Sequence, residues 1–332
     1  MKASDSMLAG LLGAASLTAD VLMEGRLSIL IFHRVLRQPD PLFPSEIDAV
    51  RFDRLMAIVA KSFVVLTLGQ ALAHRASGTL PRRALTITFD DGYADNAEVA
   101  LPILQRYGLR ATFFVATGFL DGGRMFNDTV IETVRGAAEK PLNLSDFALG
   151  VCKLASADDR RGVIDLLLPR VKHLALSERE AFLSRLHKLA GEPALPSNLM
   201  MRSQQVVELH CAGMEIGGHT VRHPILSVLP DSEAEAEIAD GRRHLQNLTG
   251  AAVDVFAYPN GRPMQDYDGR HVAMVRRLGF RGAVSTANGV SNQAADPFQL
   301  PRFTPWDRQA HRWSARLLWH RVRSSRYVLA TA

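Results

Sequence analysis

Short apolar runs rich in β-branched residues recur through this chain: Leu27–Phe32, Phe63–Thr67, Leu85–Phe89, Thr112–Ala116, Met214–Gly217, Val253–Ala257, Arg281–Ser285 and Gln299–Phe303. Segments with the apolar spacing of amphipathic helices separate them. Strands that alternate with such helices form βα repeats, in which the strands lie parallel and the helices cover them. Seven or eight such strands in a chain of 332 residues predict a closed barrel rather than an open doubly wound sheet. The fold class is therefore α/β, although the pattern does not reveal the strand order.

The rhythm breaks between about residues 121 and 200. Helical segments such as Arg160–Leu174 and Ser177–Leu189 fill this stretch, no strand is predicted in it, and Pro193 and Pro196 end it. Because the βα pattern resumes at Met214, the stretch reads as a helical insertion at the barrel rim, a common place to shape a substrate cleft. The expected plan is an N-terminal helical segment over 1–26, a barrel over 27–304 with its insertion, and a basic helix over 305–332. No internal repeat stands out.

Composition excludes several classes. With 47% hydrophobic and 22% charged residues, the chain is neither disordered nor fibrous. Cys152 and Cys211 cannot build a disulfide framework and belong to no CxxC pair. They read as core residues of a protein in a reducing compartment, which makes the cytoplasm the expected location. Met7–Met23 is apolar, but Asp5 cancels Lys2 and Asp20 and Glu24 close the run. A secretory signal wants a positive start and a clean apolar centre, so an amphipathic first helix is the expectation. The formal charge is +5, and the seven arginines from Arg302 to Arg326 face a single acid, Asp307. The rest of the chain is near neutral, which gives no nucleic-acid footprint.

Two motifs carry chemistry. Thr88-Phe89-Asp90-Asp91-Gly92 follows a buried strand. Two adjacent carboxylates there disfavour joint ionisation, and a metal ion on one would leave the other as a base. The plainer reading is a turn whose carboxylates cap the next helix. His219-Thr220-Val221-Arg222-His223-Pro224 is the second motif. Histidines four apart present nitrogens to one ion if the segment between them makes a helical turn. Two imidazoles and a carboxylate suit zinc or a similar divalent ion with open positions for water and substrate. Surface or capping histidines are the plainer reading.

Those motifs, with Tyr93-Ala94-Asp95-Asn96 and Ala111–Val115 between them, resemble the polysaccharide deacetylases of carbohydrate esterase family 4, the NodB homology domain. The similarity runs from about Leu27 to Phe303. It implies a distorted (β/α) barrel and metal-dependent removal of acetyl groups from N-acetylated sugars, with zinc the expected ion and cobalt, nickel or manganese its alternatives. By position, Asp90 is the catalytic base and Asp91, His219 and His223 are the metal ligands. The family's Arg-x-Pro-Tyr-like motif falls on Ala257-Tyr258-Pro259-Asn260-Gly261. Ala257 stands where an arginine commonly braces the base, and Asn260 stands where an aromatic residue commonly lies. The Asn260 backbone N–H can still act as oxyanion donor, with Tyr258 and Pro259 beside it in the substrate-binding segment. Arg302 is the candidate source of the missing guanidinium.

The family's late Leu-x-His motif, which holds its general acid, has no good match after His223. Leu30-Ile31-Phe32-His33-Arg34-Val35 instead resembles the Tyr-His-x-Val start of a circularly permuted branch that acts on poly-N-acetylglucosamine-like exopolysaccharides. First and last strands are neighbours in a closed barrel, so permutation preserves the site, and His33 becomes the expected acid. The plainer reading is a lone histidine after a strand.

The implied substrate is an N-acetylated polysaccharide or lipid-linked glycan. Alternatives are hydrolysis of a small cyclic amide or imide and a catalytically silent glycan-binding relative. An iron(II) oxygenase also uses two histidines and a carboxylate, but that site sits on a jelly roll, against the βα rhythm. Finally, Trp306, Trp313 and Trp319 lie among the C-terminal arginines. A basic helix with Trp and Leu opposite suits peripheral membrane contact, whereas a last barrel helix would turn the same residues onto the core.

Overall fold

The computed structural model describes residues 25–304 and 329–331. The expected N-terminal helix and the Trp-rich helix lie almost wholly outside the described residues. Among these, no helix is long and apolar enough to cross a membrane.

Every predicted run forms a strand. β1 (Ser28–Phe32), β3 (Ala84–Phe89), β4 (Thr112–Val115), β7 (Glu215–Gly218), β8 (Val255–Ala257), β9 (Gly282–Asn288) and β10 (Leu300–Arg302) pair in the order β1-β3-β4-β7-β8-β9-β10. All these pairs are parallel. The short β2 (Val64–Val65) lies along the start of the β3 edge that β4 takes further on. The ring closes where Ile31 N–H donates to the Phe303 carbonyl at 3.1 Å and Phe303 N–H to that of Ile29 at 2.8 Å. The result is a nearly closed barrel of parallel strands.

Alternation along the strands divides the core in two. Leu30, Phe32, Leu85, Ile87, Phe89, Phe113 and Phe256 point outward. They pack beneath helices that include α1 (Ala49–Ser62), α3 (Leu101–Arg106), α7 (Ser203–Cys211), α8 (Asp231–Thr249) and α9 (Gly269–Arg277). Ile29, Ala84, Phe114, Val255 and Val284 form a separate inner cluster with Leu68 and Leu72 of α2 (Leu68–Ala76). The Glu215 carboxylate, at the start of β7, accepts from Gly69 N–H of α2 at 3.0 Å, so α2 plugs the N-terminal end of the barrel. The opposite end is left for chemistry, as in barrels generally.

The insertion has its own hydrophobic cluster, built from Val130 and Val134 of α4 (Phe126–Gly136), Ile164, Leu167 and Val171 of α5 (Ala157–Lys172) and Leu186 of α6 (Leu176–Leu189). It is not free of strands. Leu142–Asn143 (β5) and Val151–Cys152 (β6) form a two-residue antiparallel ribbon, too short to produce a recognisable run. The cysteines also differ from expectation: Cys152 is only partly buried and Cys211 is exposed, so neither belongs to the deep core.

Candidate metal centre

Asp90 and Asp91 leave the end of β3 in opposite directions. Asp90 N–H donates to the Phe32 carbonyl at 2.9 Å, which extends the sheet by one residue. Asp91 then turns left-handed, with φ of 76°. A non-glycine residue held there costs on the order of 1–3 kcal/mol and persists only when its surroundings fix it. The twist separates the carboxylates, and neither caps the following helix.

Asp90 meets Arg302. The guanidinium of this residue, at the end of β10, donates to both carboxylate oxygens at 2.7 and 2.6 Å. Arg302 is itself held by the Ser285 carbonyl at 2.9 Å and Thr88 Oγ1 at 3.2 Å. Both partners are 2% exposed, so water does not compete for the pair. Burial alone would raise the Asp90 carboxyl, but the Arg302 charge and its hydrogen bonds hold it below the ordinary carboxylate value. Asp90 thus has a guanidinium partner from β10, although β8 ends in Ala257.

Asp91 meets the two histidines. One of its oxygens lies 3.3 Å from His219 Nε2 and 3.4 Å from His223 Nε2. Two atoms each about 2.1 Å from one tetrahedral ion would stand about 3.4 Å apart, so the spacing fits a divalent metal. All three side chains are buried, and the three ligand atoms lie within 4.8 Å of one another. His219 Nδ1 is 2.7 Å from the Ala257 carbonyl, which can only accept, so Nδ1 carries a proton, and in the neutral ring the lone pair is on Nε2. Such an outer hydrogen bond orients a metal-binding imidazole. His223 Nδ1 has no hydrogen-bond partner among the described residues.

The histidines do not converge through the expected helical turn. After β7 the chain bends, with Thr220 and His223 left-handed at φ of 65° and 51°. Thr220 Oγ1 accepts from His223 N–H at 3.0 Å and closes the bend. Residue spacing alone cannot distinguish this bend from a helix. Burial opposes protonation of both imidazoles. At His219 the hydrogen bond to Asp91 and the charge of Asp90 outweigh it and raise the group, whereas at His223 burial prevails and pushes it down to about 3. Burial would raise the Asp91 carboxyl too, but both histidines hold it well below its usual range.

The remaining expected residues divide. Pro259 is buried and Asn260 half-buried. Asn260 is left-handed at φ of 57°, and its N–H has no acceptor among the described residues, as an oxyanion donor requires. The Tyr258 side chain faces the core. Its ring is fully buried and stacks on Tyr267 with centroids 3.8 Å apart, because it follows β8 with its side chain on the outer, core-facing side. His33 is exposed at the end of β1, near enough for its charge to bear on Asp90, Asp91 and His223.

A neighbouring network was not evident from the motifs. Tyr93, two residues after Asp91, donates its phenol to both oxygens of buried Asp128 on α4, at 3.2 and 3.1 Å. Arg34 lies over the Tyr93 ring at 4.8 Å and bonds Asp95 at 2.8 Å. Burial pushes the Asp128 carboxyl up to about 7. The insertion therefore docks against the loop after Asp91 through a polar contact.

A family profile described as polysaccharide deacetylase matches residues 77–140 and 186–283, and its gap falls within the insertion. The curated Bacillus subtilis (strain 168) protein YxkH is 20% identical over 220 residues, which cover 66% of this chain and 50% of that one. This chain thus spans about half the length of that relative. Among solved structures, the Streptococcus pyogenes deacetylase PplD in complex with acetate is similar, with a TM-score of 0.61 and 19% identity, covering 89% of this chain and 97% of that one. IcaB from Ammonifex degensii follows with a TM-score of 0.57 and 18% identity, covering 90% and 98%. Likeness at this level establishes the shared fold.

Proposed function

Because the chain belongs to the polysaccharide deacetylase family, we propose that it hydrolyses N-acetyl groups on amino-sugar residues of a glycan. The observation that carries this reading is the division of the two adjacent carboxylates. Asp90 is paired with a buried arginine and Asp91 with two histidines. One carboxylate is thereby kept ionised as a base, and the other is committed to a cation. That PplD is a deacetylase and was solved with acetate supports the same chemistry.

Asp91, His219 and His223 would hold the metal, with zinc favoured by the mixed nitrogen and oxygen donors and cobalt, nickel or manganese as alternatives. When bound, a divalent ion supplies Lewis acidity toward the acetyl carbonyl and the attacking water. Asp90, ionised against Arg302, accepts the proton of that water. The unpaired Asn260 N–H donates to the carbonyl oxygen as it gains negative charge, a role that needs no particular side chain. His33, exposed at the rim, protonates the departing amine. Acetate and a free amino sugar leave.

The test is acetate release from N-acetylglucosamine oligomers by zinc-loaded protein, against free N-acetylglucosamine and small cyclic amides. Turnover of the oligomers with little on the others is expected. Ring opening of a cyclic amide without acetate release would replace the sugar reading.

The substrate proposed is an exopolysaccharide or lipid-linked glycan met at the cytoplasmic membrane surface. The arginines and tryptophans of 305–328 support such peripheral contact. That segment follows β10 directly, and the chain is back on the barrel at Ala330, whose N–H donates to Gln299 at 2.6 Å.

A further inference from the structure

The loop that carries both histidines is held from behind by a carboxylate. Glu237, on α8, is 4% exposed. Its Oε2 accepts from Val221 N–H at 3.0 Å and from Arg222 N–H at 2.8 Å, two of the three residues between His219 and His223. Its Oε1 accepts from Arg222 Nε at 2.6 Å. On the loop's other side, the Thr220 and Val221 carbonyls accept from Thr117 and Gly118 N–H at 3.2 and 2.8 Å. One helical turn beyond Glu237, Gly241 lets α8 approach so closely that a Cβ there would lie 2.8 Å from the Thr220 carbonyl carbon.

This bracing answers a physical need. Thr220 and His223 both occupy the left-handed region, which is unfavourable for residues with a Cβ. Two such residues within one short bend relax unless the backbone between them is fixed. A carboxylate accepting two consecutive N–H groups fixes that stretch, and few other groups can do so from a helix. In sequence Glu237 lies in the acidic run Asp231–Asp240, where it reads as one more solvated charge.

We propose that Glu237 is a positioning residue of the metal centre: through the Val221 and Arg222 amides it sets the separation of the His219 and His223 imidazoles. The proposal rests on the reading of Asp91, His219 and His223 as metal ligands. Its ion pair with Arg222 is incidental, since that side chain is 55% exposed.

The experiment measures zinc affinity by competition with a chromophoric chelator, alongside circular dichroism of the metal-free proteins. Glu237→Met withdraws the Oε2 acceptor from both loop amides and keeps most of the side chain's bulk. Zinc affinity is expected to fall about 10- to 100-fold, as for loss of an outer partner of a metal ligand, with the fold retained. Arg222→Ala, which leaves the two amide bonds, should stay within about threefold of the parent. Should Glu237→Met fail to fold, Glu237→Asp keeps the charge, withdraws the oxygens by one methylene, and should show the same loss. Parental affinity in a folded Glu237 variant overturns the proposal alone. Zinc binding that survives His219→Ala overturns the site itself and the proposal with it.

Discussion

Arg302 and Asp90, from the last and third strands, form a two-pronged ion pair inside the barrel with bonds of 2.7 and 2.6 Å. Lysine at this position keeps the charge but cannot clasp both oxygens. Because Arg302 lowers the Asp90 carboxyl, weakening the pair lets Asp90 protonate at higher pH. In Arg302→Lys the acid limb of the kcat/KM profile should therefore move upward in pH. Arg302→Met leaves a buried charge unpaired, at a cost of about 3–5 kcal/mol. That loss should be largest at neutral pH and shrink in acid as Asp90 takes a proton, which melting curves across pH would show.

Asp90 and the histidines should separate cleanly. Asp90→Asn is expected to bind metal like the parent and lose nearly all turnover, since a base is dispensable for coordination. His219→Ala and His223→Ala remove one of three ligands and should lose both. Metal content and acetate release on the same preparations decide the matter, and full activity in Asp90→Asn would end the mechanism given above.

His33→Ala should lower turnover by about 10²- to 10⁴-fold while metal is retained. The loss should be smaller for an aryl ester, whose leaving group needs no proton. Equal losses on ester and amide would remove His33 from the acid role.

Asp128 gives a stability effect of opposite sign to Asp90. Its folded-state carboxyl, raised by burial to about 7, binds a proton that the unfolded chain releases near 3.8. Folding stability is thus present below that window and declines as pH rises through it. Asp128→Asn, which still accepts from Tyr93, should melt higher than the parent at pH 8 and show little gain at pH 4.

For the C-terminal segment, deletion is a poor test, because Ala330 is buried against the barrel. Replacing Trp313 and Trp319 by serine leaves that anchorage in place. If these residues contact lipid, the variant should cease to sediment with anionic vesicles and keep its activity on soluble oligomers. Unfolding instead would assign the tryptophans to the core.

Much of this architecture was legible in one dimension because strand and helix periods are local. Each of the eight apolar runs became a strand, and Asp90, Asp91, His219 and His223 each follow one. What escaped was set by contacts distant in sequence or by backbone angles. The β5–β6 ribbon is too short to have a period. The bend at Thr220 and His223 depends on dihedral angles that a four-residue spacing does not specify. Tyr258 has the same neighbours in sequence whether it faces substrate or core, and only the side of β8 it occupies decides. Asp128 and Glu237 look like ordinary surface acids until the elements opposite them are known.

The Arg302–Asp90 bond spans 212 positions of chain. A ribosome must therefore deliver the chain through β10 before the buried carboxylate meets its counter-charge. An ionised group sealed inside without a partner is costly, so the first strands cannot close stably around Asp90 by themselves. The nascent chain is therefore expected to stay open until β10 emerges and docks against β1. Completion of the catalytic apparatus and completion of the fold are thus one late event. Chains broken off before Arg302 should be found with chaperones or proteases rather than as smaller, partly active enzymes.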